Sequence, residues 1–171
     1  MEGLPHAREP QKLSSYSWSV TGPPHSGVPI VLACLGLFLL IQLVPYGRDH
    51  ANPPASAEPA WDSPQTRDLA SKACFDCHSN LTTWPWYTNV APVSWLVQHD
   101  VDDGRATLNF TEWDRPQSAE LGDIAELVRG GEMPPIYYRM IHRSASLTDT
   151  EKQQLIDGLA ATLRNSPPIP G

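Results

Sequence analysis

Cys74-Phe75-Asp76-Cys77-His78 is the stretch on which the reading of this chain turns. With three cysteines and six histidines in 171 residues, composition alone expects about 0.002 such C-x-x-C-H strings. Residues three apart share one face of a helix, so both thiols point the same way, and the next residue projects an imidazole beside them. A zinc site would need a second Cys or His pair, and no other C-x-x-C and no H-x₃₋₅-H occurs in the chain. A thioredoxin-like pair belongs in βαβ surroundings and has no use for His78. Covalent attachment of a c-type haem uses all three residues: Cys74 and Cys77 on the two vinyl groups of one porphyrin, His78 on the iron.

A second axial ligand is then to be found. Met133 stands in Gly131-Glu132-Met133-Pro134-Pro135, 55 residues beyond His78, enough chain to cross a porphyrin and return. The flanking prolines stop a helix there and stiffen the loop, which suits a fixed thioether better than a core filler. His99 and His142 are rivals that would give bis-histidine iron, and Met140 is the weaker methionine. Trp84, Trp86, Tyr87 and Trp95 follow the attachment site closely and are expected to wall the porphyrin. Trp113, Tyr137 and Tyr138 are expected on its other face. The Pro92 carbonyl is the expected acceptor for His78 Nδ1–H.

Around these residues the spacing predicts helices and no strand of useful length. Ser63-Pro64 reads as an N-cap followed by proline at the first helical position. Residues 93–103 form a second candidate helix. A third is capped by Ser118, carries Leu121, Ile124, Ala125 and Val128, and stops at Gly130-Gly131. Thr148-Asp149-Thr150-Glu151 is a capping box for a last helix bearing Leu155, Ile156, Leu159 and Leu163. The expected fold is all-α: a small cytochrome c-like domain of about four helices over residues 64–165, with a tail at 166–171.

Upstream the composition changes. Residues 13–47 hold no Asp, Glu, Lys or Arg, and residues 28–44 are almost wholly apolar. Seventeen residues of helix span about 26 Å, close to a bilayer's hydrocarbon thickness. A cleaved signal peptide fits poorly, because the run starts late and Ala55-Ser56-Ala57 is badly placed for cleavage. A lipobox at Val31-Leu32-Ala33-Cys34 fails because apolar sequence continues past Cys34. The expected organisation is therefore an N-terminal cytoplasmic tail at 1–27, a single transmembrane anchor at 28–46 and a Pro-rich extended linker at 47–63. Flanking charge is balanced and leaves orientation open. All of the net charge of −7 lies beyond Gly47, which disfavours nucleic acid as a partner.

The chain resembles the bacterial haem-binding-domain family of membrane-anchored monohaem c-type cytochromes. The resemblance rests on Val44-Pro45-Tyr46-Gly47-Arg48, Cys74-Phe75-Asp76-Cys77-His78-Ser79-Asn80, Trp84-Pro85-Trp86-Tyr87, Ala91-Pro92-Val93-Ser94-Trp95, Asn109-Phe110-Thr111-Glu112-Trp113 and Gly131-Glu132-Met133-Pro134-Pro135. It covers residues 44–165. It implies one covalent haem c on Cys74 and Cys77, with His78 as proximal ligand and Met133, at the family's Met-Pro-Pro position, as distal ligand.

These readings lead to an electron carrier rather than an enzyme, held on the bacterial cytoplasmic membrane with its haem domain in the periplasm, where thioether attachment is made. The expected partner is a respiratory or photosynthetic membrane redox complex, or a soluble carrier, with a basic docking surface that suits the acidic domain. A small peroxidase with an open distal site and a haem-based redox or gas sensor are the competing classes. The chain has no convincing distal Arg–His pair for the first, and the tail is short for the second's output domain.

Overall fold

A computed structural model describes residues 27–171. Residues 1–26, the greater part of the expected tail, lie outside the described residues. Seven helices are present among those described: α1 (Gly27–Ile41), α2 (Pro64–Ala73), α3 (Phe75–His78), α4 (Val93–Thr107), α5 (Leu121–Gly130), α6 (Ile136–Ile141) and α7 (Asp149–Asn165). The domain is mostly helical, as the spacing predicts. Its one sheet among the described residues is a two-residue parallel pair, β1 (Pro116–Gln117) with β2 (Ile169–Pro170), which fastens the expected C-terminal tail.

Helix ends follow local chemistry. Ser63 Oγ accepts the Thr66 amide at 3.2 Å and Pro64 occupies the first turn of α2. Thr148 and Glu151 form the reciprocal capping box of α7, with bonds of 3.2 and 2.8 Å. Gly131 closes α5 in the left-handed conformation at φ 74°, where a side chain would be strained. The expected Ser118 cap is corrected: α5 begins three residues later, and the Ser118 hydroxyl donates to the Thr107 carbonyl at 3.2 Å. α4 runs four residues beyond its expected end, to Thr107.

The core joins α2, α3 and α7 through Leu69, Ala70, Phe75, Leu155 and Leu159, closed by Leu108, Phe110 and Trp113 from the segment after α4. Phe110 stacks between Phe75 and Trp113, with ring centroids 5.7 and 6.0 Å apart. Such pairs add about 1 kcal/mol beyond area burial. A smaller cluster of Ala125, Val128 and Ile156 joins α5 to α7.

The expected linker is extended but is not a spacer. Its amides and carbonyls are used by the domain: Ser56 N donates to Thr111 O at 2.8 Å, and Trp113 N donates to Ala57 O at 3.0 Å. Arg67 donates to both carboxylate oxygens of Glu58 at 2.7 Å, and Trp61 packs on Phe75 and Phe110. Burying Trp61 and bonding the strap's backbone stabilises it there more than extension into solvent would. Residues 38–171 accordingly form one compact unit, larger than the expected 64–165.

The expected 28–46 span is also longer than the helix found. α1 has 15 residues, all exposed or half-exposed, about 22 Å of rise against roughly 30 Å of hydrocarbon. Among the described residues no helix is long and apolar enough to cross a membrane. The helix stops where Gln42 turns aside. Gln42 Nε2 donates to Ala91 O at 2.9 Å, while its Oε1 accepts Ala91 N at 3.0 Å and Arg48 Nη2 at 2.9 Å.

Candidate functional site

Cys74 ends α2 and begins α3. Its carbonyl accepts the amides of Cys77 and His78 at 3.1 and 2.8 Å. This single turn brings Cys74, Cys77 and His78 to one cavity of about 440 Å³, within the range of small-molecule and cofactor sites. Its walls come from α4, α5, α7 and the segment carrying Met133, and are mainly aliphatic: Leu108, Ile124, Leu127, Val128, Leu155 and Leu159, with Phe110.

α4 approaches α3 at Gly104. A β-carbon there would lie 2.5 Å from the Cys77 carbonyl oxygen and 2.9 Å from its carbon, so only glycine allows the approach. The approach sets His78. Its Nδ1 lies 3.0 Å from Gly104 O and 3.1 Å from Leu108 O, two acceptors that fix the proton on Nδ1. Burial pushes the His78 pKa down, and the two carbonyls act against that shift. The outcome is a neutral imidazole with the Nε2 lone pair free. The expected Pro92 acceptor is therefore corrected: backbone carbonyls at the end of α4 serve instead, with Gly104 O shared between His78 Nδ1 and the Leu108 amide.

Burial pushes the Cys74 and Cys77 thiols up to about 12. Both are neutral at physiological pH, the reverse of the lowered pKa of thioredoxin-like redox pairs. Among the described residues no group of three His, Cys, Asp or Glu could hold a metal ion.

Met133 lines the same cavity, at the far end of α5's terminal turn, with its amide donating to Leu127 O at 3.2 Å. Tyr137 and Tyr138 line it too. Tyr137 donates to Asp100 Oδ2 at 2.9 Å and Tyr138 to Asp76 Oδ2 at 2.5 Å. Burial, then the neighbouring carboxylate, holds both phenols protonated, with Tyr137 pushed up to about 12 and Tyr138 higher. Burial likewise raises Asp100.

The remaining expected residues stand elsewhere. His99 is exposed and pairs with Asp103 at 3.4 Å. His142 is bonded to the Tyr87 hydroxyl at 2.6 Å and stacks on Tyr138. Met140 is 72% exposed. Trp84 stacks on His50, Trp86 is 77% exposed, and neither these nor Tyr87, Trp95 or Trp113 lines the cavity. The expected tryptophan wall is thus corrected to an aliphatic one. The apolar residues of α5 and α7 at helical spacing were its visible signal.

The haem-binding domain model matches residues 36–161. This chain belongs to the haem-binding domain family. Curated proteins return no match, and solved structures return none. For a haem-binding domain the donor set fits. One cavity offers an imidazole with a free nitrogen, a thioether, two neutral thiols and apolar walls. Arg139, which also lines the cavity, has a buried Nε with no hydrogen-bond partner among the described residues, and Lys152 lines the cavity too, so an anionic edge would be accommodated.

Proposed function

We propose that this haem-binding domain protein is a membrane-tethered monohaem c-type cytochrome that carries single electrons. The observation that carries the reading is the convergence of Cys74, Cys77, His78 and Met133 on one apolar cavity, with His78 Nδ1 already bonded. Bound haem supplies the one-electron couple of its iron.

The protein's part is to hold that group and tune its surroundings. Cys74 and Cys77 would hold the two vinyl positions as thioethers. His78 would present Nε2 as proximal ligand. Its Nδ1–H, given to Gly104 and Leu108, fixes the ring and raises its basicity. Met133 would offer its thioether to the iron alongside His78, a donor that favours a higher potential than a second histidine and suits a carrier better than an enzyme. The aliphatic walls would shield the group from water. Arg139 would supply a donor at the edge.

A six-coordinate low-spin ferric spectrum with a sulfur-to-iron charge-transfer band is the expected result in the purified full-length protein. Met133→Ala should abolish that band. A high-spin ferric spectrum in the unmutated protein would contradict the carrier and favour the peroxidase class.

The tether is supported by the uncharged stretch over residues 13–47. The protein is expected to stay with the membrane fraction through alkaline carbonate washing and to leave it only in detergent, and its release by carbonate would remove the tether. The face holding the haem domain would be the periplasmic one. The partner would be a membrane complex or a soluble carrier with a basic patch, since the domain carries all of the −7 charge. An apolar centre for such docking is at hand in Ile136, Met140 and Ile141, exposed beside the cavity.

A further inference from the structure

α6 is an unusual element to carry part of a cofactor site. It has six residues and none of them is buried. A helix that short has no stability of its own, and its apolar side chains Ile136, Met140 and Ile141 face solvent. Apolar packing therefore does not explain why α6 sits where it does. Side-chain hydrogen bonds do. Tyr138 donates to Asp76 Oδ2 at 2.5 Å, inside the attachment turn α3. His142, at the end of α6, is bonded at 2.6 Å to the hydroxyl of Tyr87 in the turn Trp86–Asn89. The Tyr138 and His142 rings stack with centroids 4.2 Å apart, so the two bonds act as one brace. Tyr137 adds a third bond, to Asp100 on α4, but in an exposed position.

Met133 is joined to α6 through Pro134 and Pro135, and Arg139 of α6 also donates to Gly131 O at 2.9 Å. Two proline rings fix two φ angles, so this link transmits the position of α6 to Met133 rather than absorbing it. Met133 has one anchor of its own, the amide bond to Leu127 O at the other end.

We propose that Tyr138 and His142 are positioning residues that latch α6 to α3 and to the Trp86–Asn89 turn, and thereby hold the Met133 thioether against the cavity. This rests on the reading of Met133 as the second axial ligand. The two axial sides of the site are then joined through hydrogen bonds: His78 and Asp76 lie on one turn, and Asp76 holds the helix that holds Met133.

The test uses the ferric, full-length holoprotein and free imidazole, which competes with the thioether for the iron. The readout is the imidazole dissociation constant, followed by loss of the sulfur-to-iron charge-transfer band. Removing a hydrogen bond to a carboxylate shifts an equilibrium by roughly ten- to a hundredfold. Tyr138→Phe is therefore expected to bind imidazole at least tenfold more tightly than the unmutated protein. His142→Ala should move in the same direction, and Tyr137→Phe should move less. His142 lies outside the cavity, so His142→Ala carries the test alone if Tyr138→Phe does not fold. Imidazole affinities at the unmutated value in both latch variants, whatever happens to their melting temperatures, would overturn the proposal. If the band is present and is lost in Met133→Ala yet indifferent to the latch variants, the proposal fails while the ligand reading stands. A band absent from the unmutated protein and a spectrum unmoved by Met133→Ala overturn both.

Discussion

Gly104→Ala is expected to destabilise the domain and to disturb the proximal side of its cofactor site, although α4 as an isolated helix would gain from the change. Alanine is the better helix former by about 1 kcal/mol, and Gly104 lies in the helix, twelfth of fifteen residues. Against that gain stands a β-carbon 2.5 Å from the Cys77 carbonyl oxygen and 3.1 Å from the Cys77 β-carbon. Non-bonded heavy atoms need roughly 3.5 Å. The obstacle is backbone, so α4 must back away by the order of 1 Å rather than let a flexible side chain yield. Overpacking of this kind costs about 1–3 kcal/mol. The same retreat pulls Gly104 O from its 3.0 Å contact with His78 Nδ1 and leaves a buried imidazole donor less well bonded. We expect a net loss of about 2 kcal/mol, read as a melting temperature several degrees lower, together with a changed reduction potential. A raised melting temperature with an unchanged potential would mean that helix propensity governs the position and that the close approach of α4 to α3 is wrong.

The second large effect belongs to the thiols. Both are neutral and half-buried, so replacing them with alanine removes no charge and only a small apolar volume, about 1 kcal/mol each by transfer arithmetic. The helices should form. What should change is retention of the cofactor. In the double variant Cys74→Ala/Cys77→Ala, acidified organic solvent is expected to extract all of the haem from the denatured chain. The unmutated protein should lose none. The folded variant still offers haem the His78 imidazole and the cavity, which makes extraction, not absorbance, the deciding assay. Pigment that resists extraction in the double variant would place the covalent link elsewhere.

How much of this was legible depends on where each interaction is written. The C-x-x-C-H turn was readable because the proposed thioether link calls for fixed residue types at fixed separations, so Cys74, Cys77 and His78 announce themselves. Met133 was readable because a glycine stop and two prolines leave few other uses for a methionine, and the structure does bring it to the cavity of His78. The capping box of α7 and the left-handed Gly131 were readable because caps are local.

Other parts carried no comparable mark. The acceptors of His78 Nδ1 are backbone carbonyls 26 and 30 residues away, which every residue type possesses. Nothing in the sequence sets the Pro92 carbonyl apart from these. The tryptophans were misplaced for a related reason. A large ring near a cofactor motif in sequence is as well used elsewhere, as where Trp84 stacks on His50 and Trp113 on Phe110. α6 escaped notice because six exposed residues held by Tyr138 and His142 show no buried periodic face. The strap at 47–63 read as a spacer because proline-rich composition reports extension, not contact, and its backbone bonds to Thr111 and Trp113 are made with residues distant in sequence.

The covalent bond between chain and cofactor is the claim from which the rest follows, and the intact mass of the denatured full-length protein tests it most directly. The account predicts a polypeptide heavier than its amino acids by one haem, with Soret absorption travelling with the chain under denaturing conditions. A polypeptide of amino-acid mass alone, with any pigment left in the solvent, would contradict it.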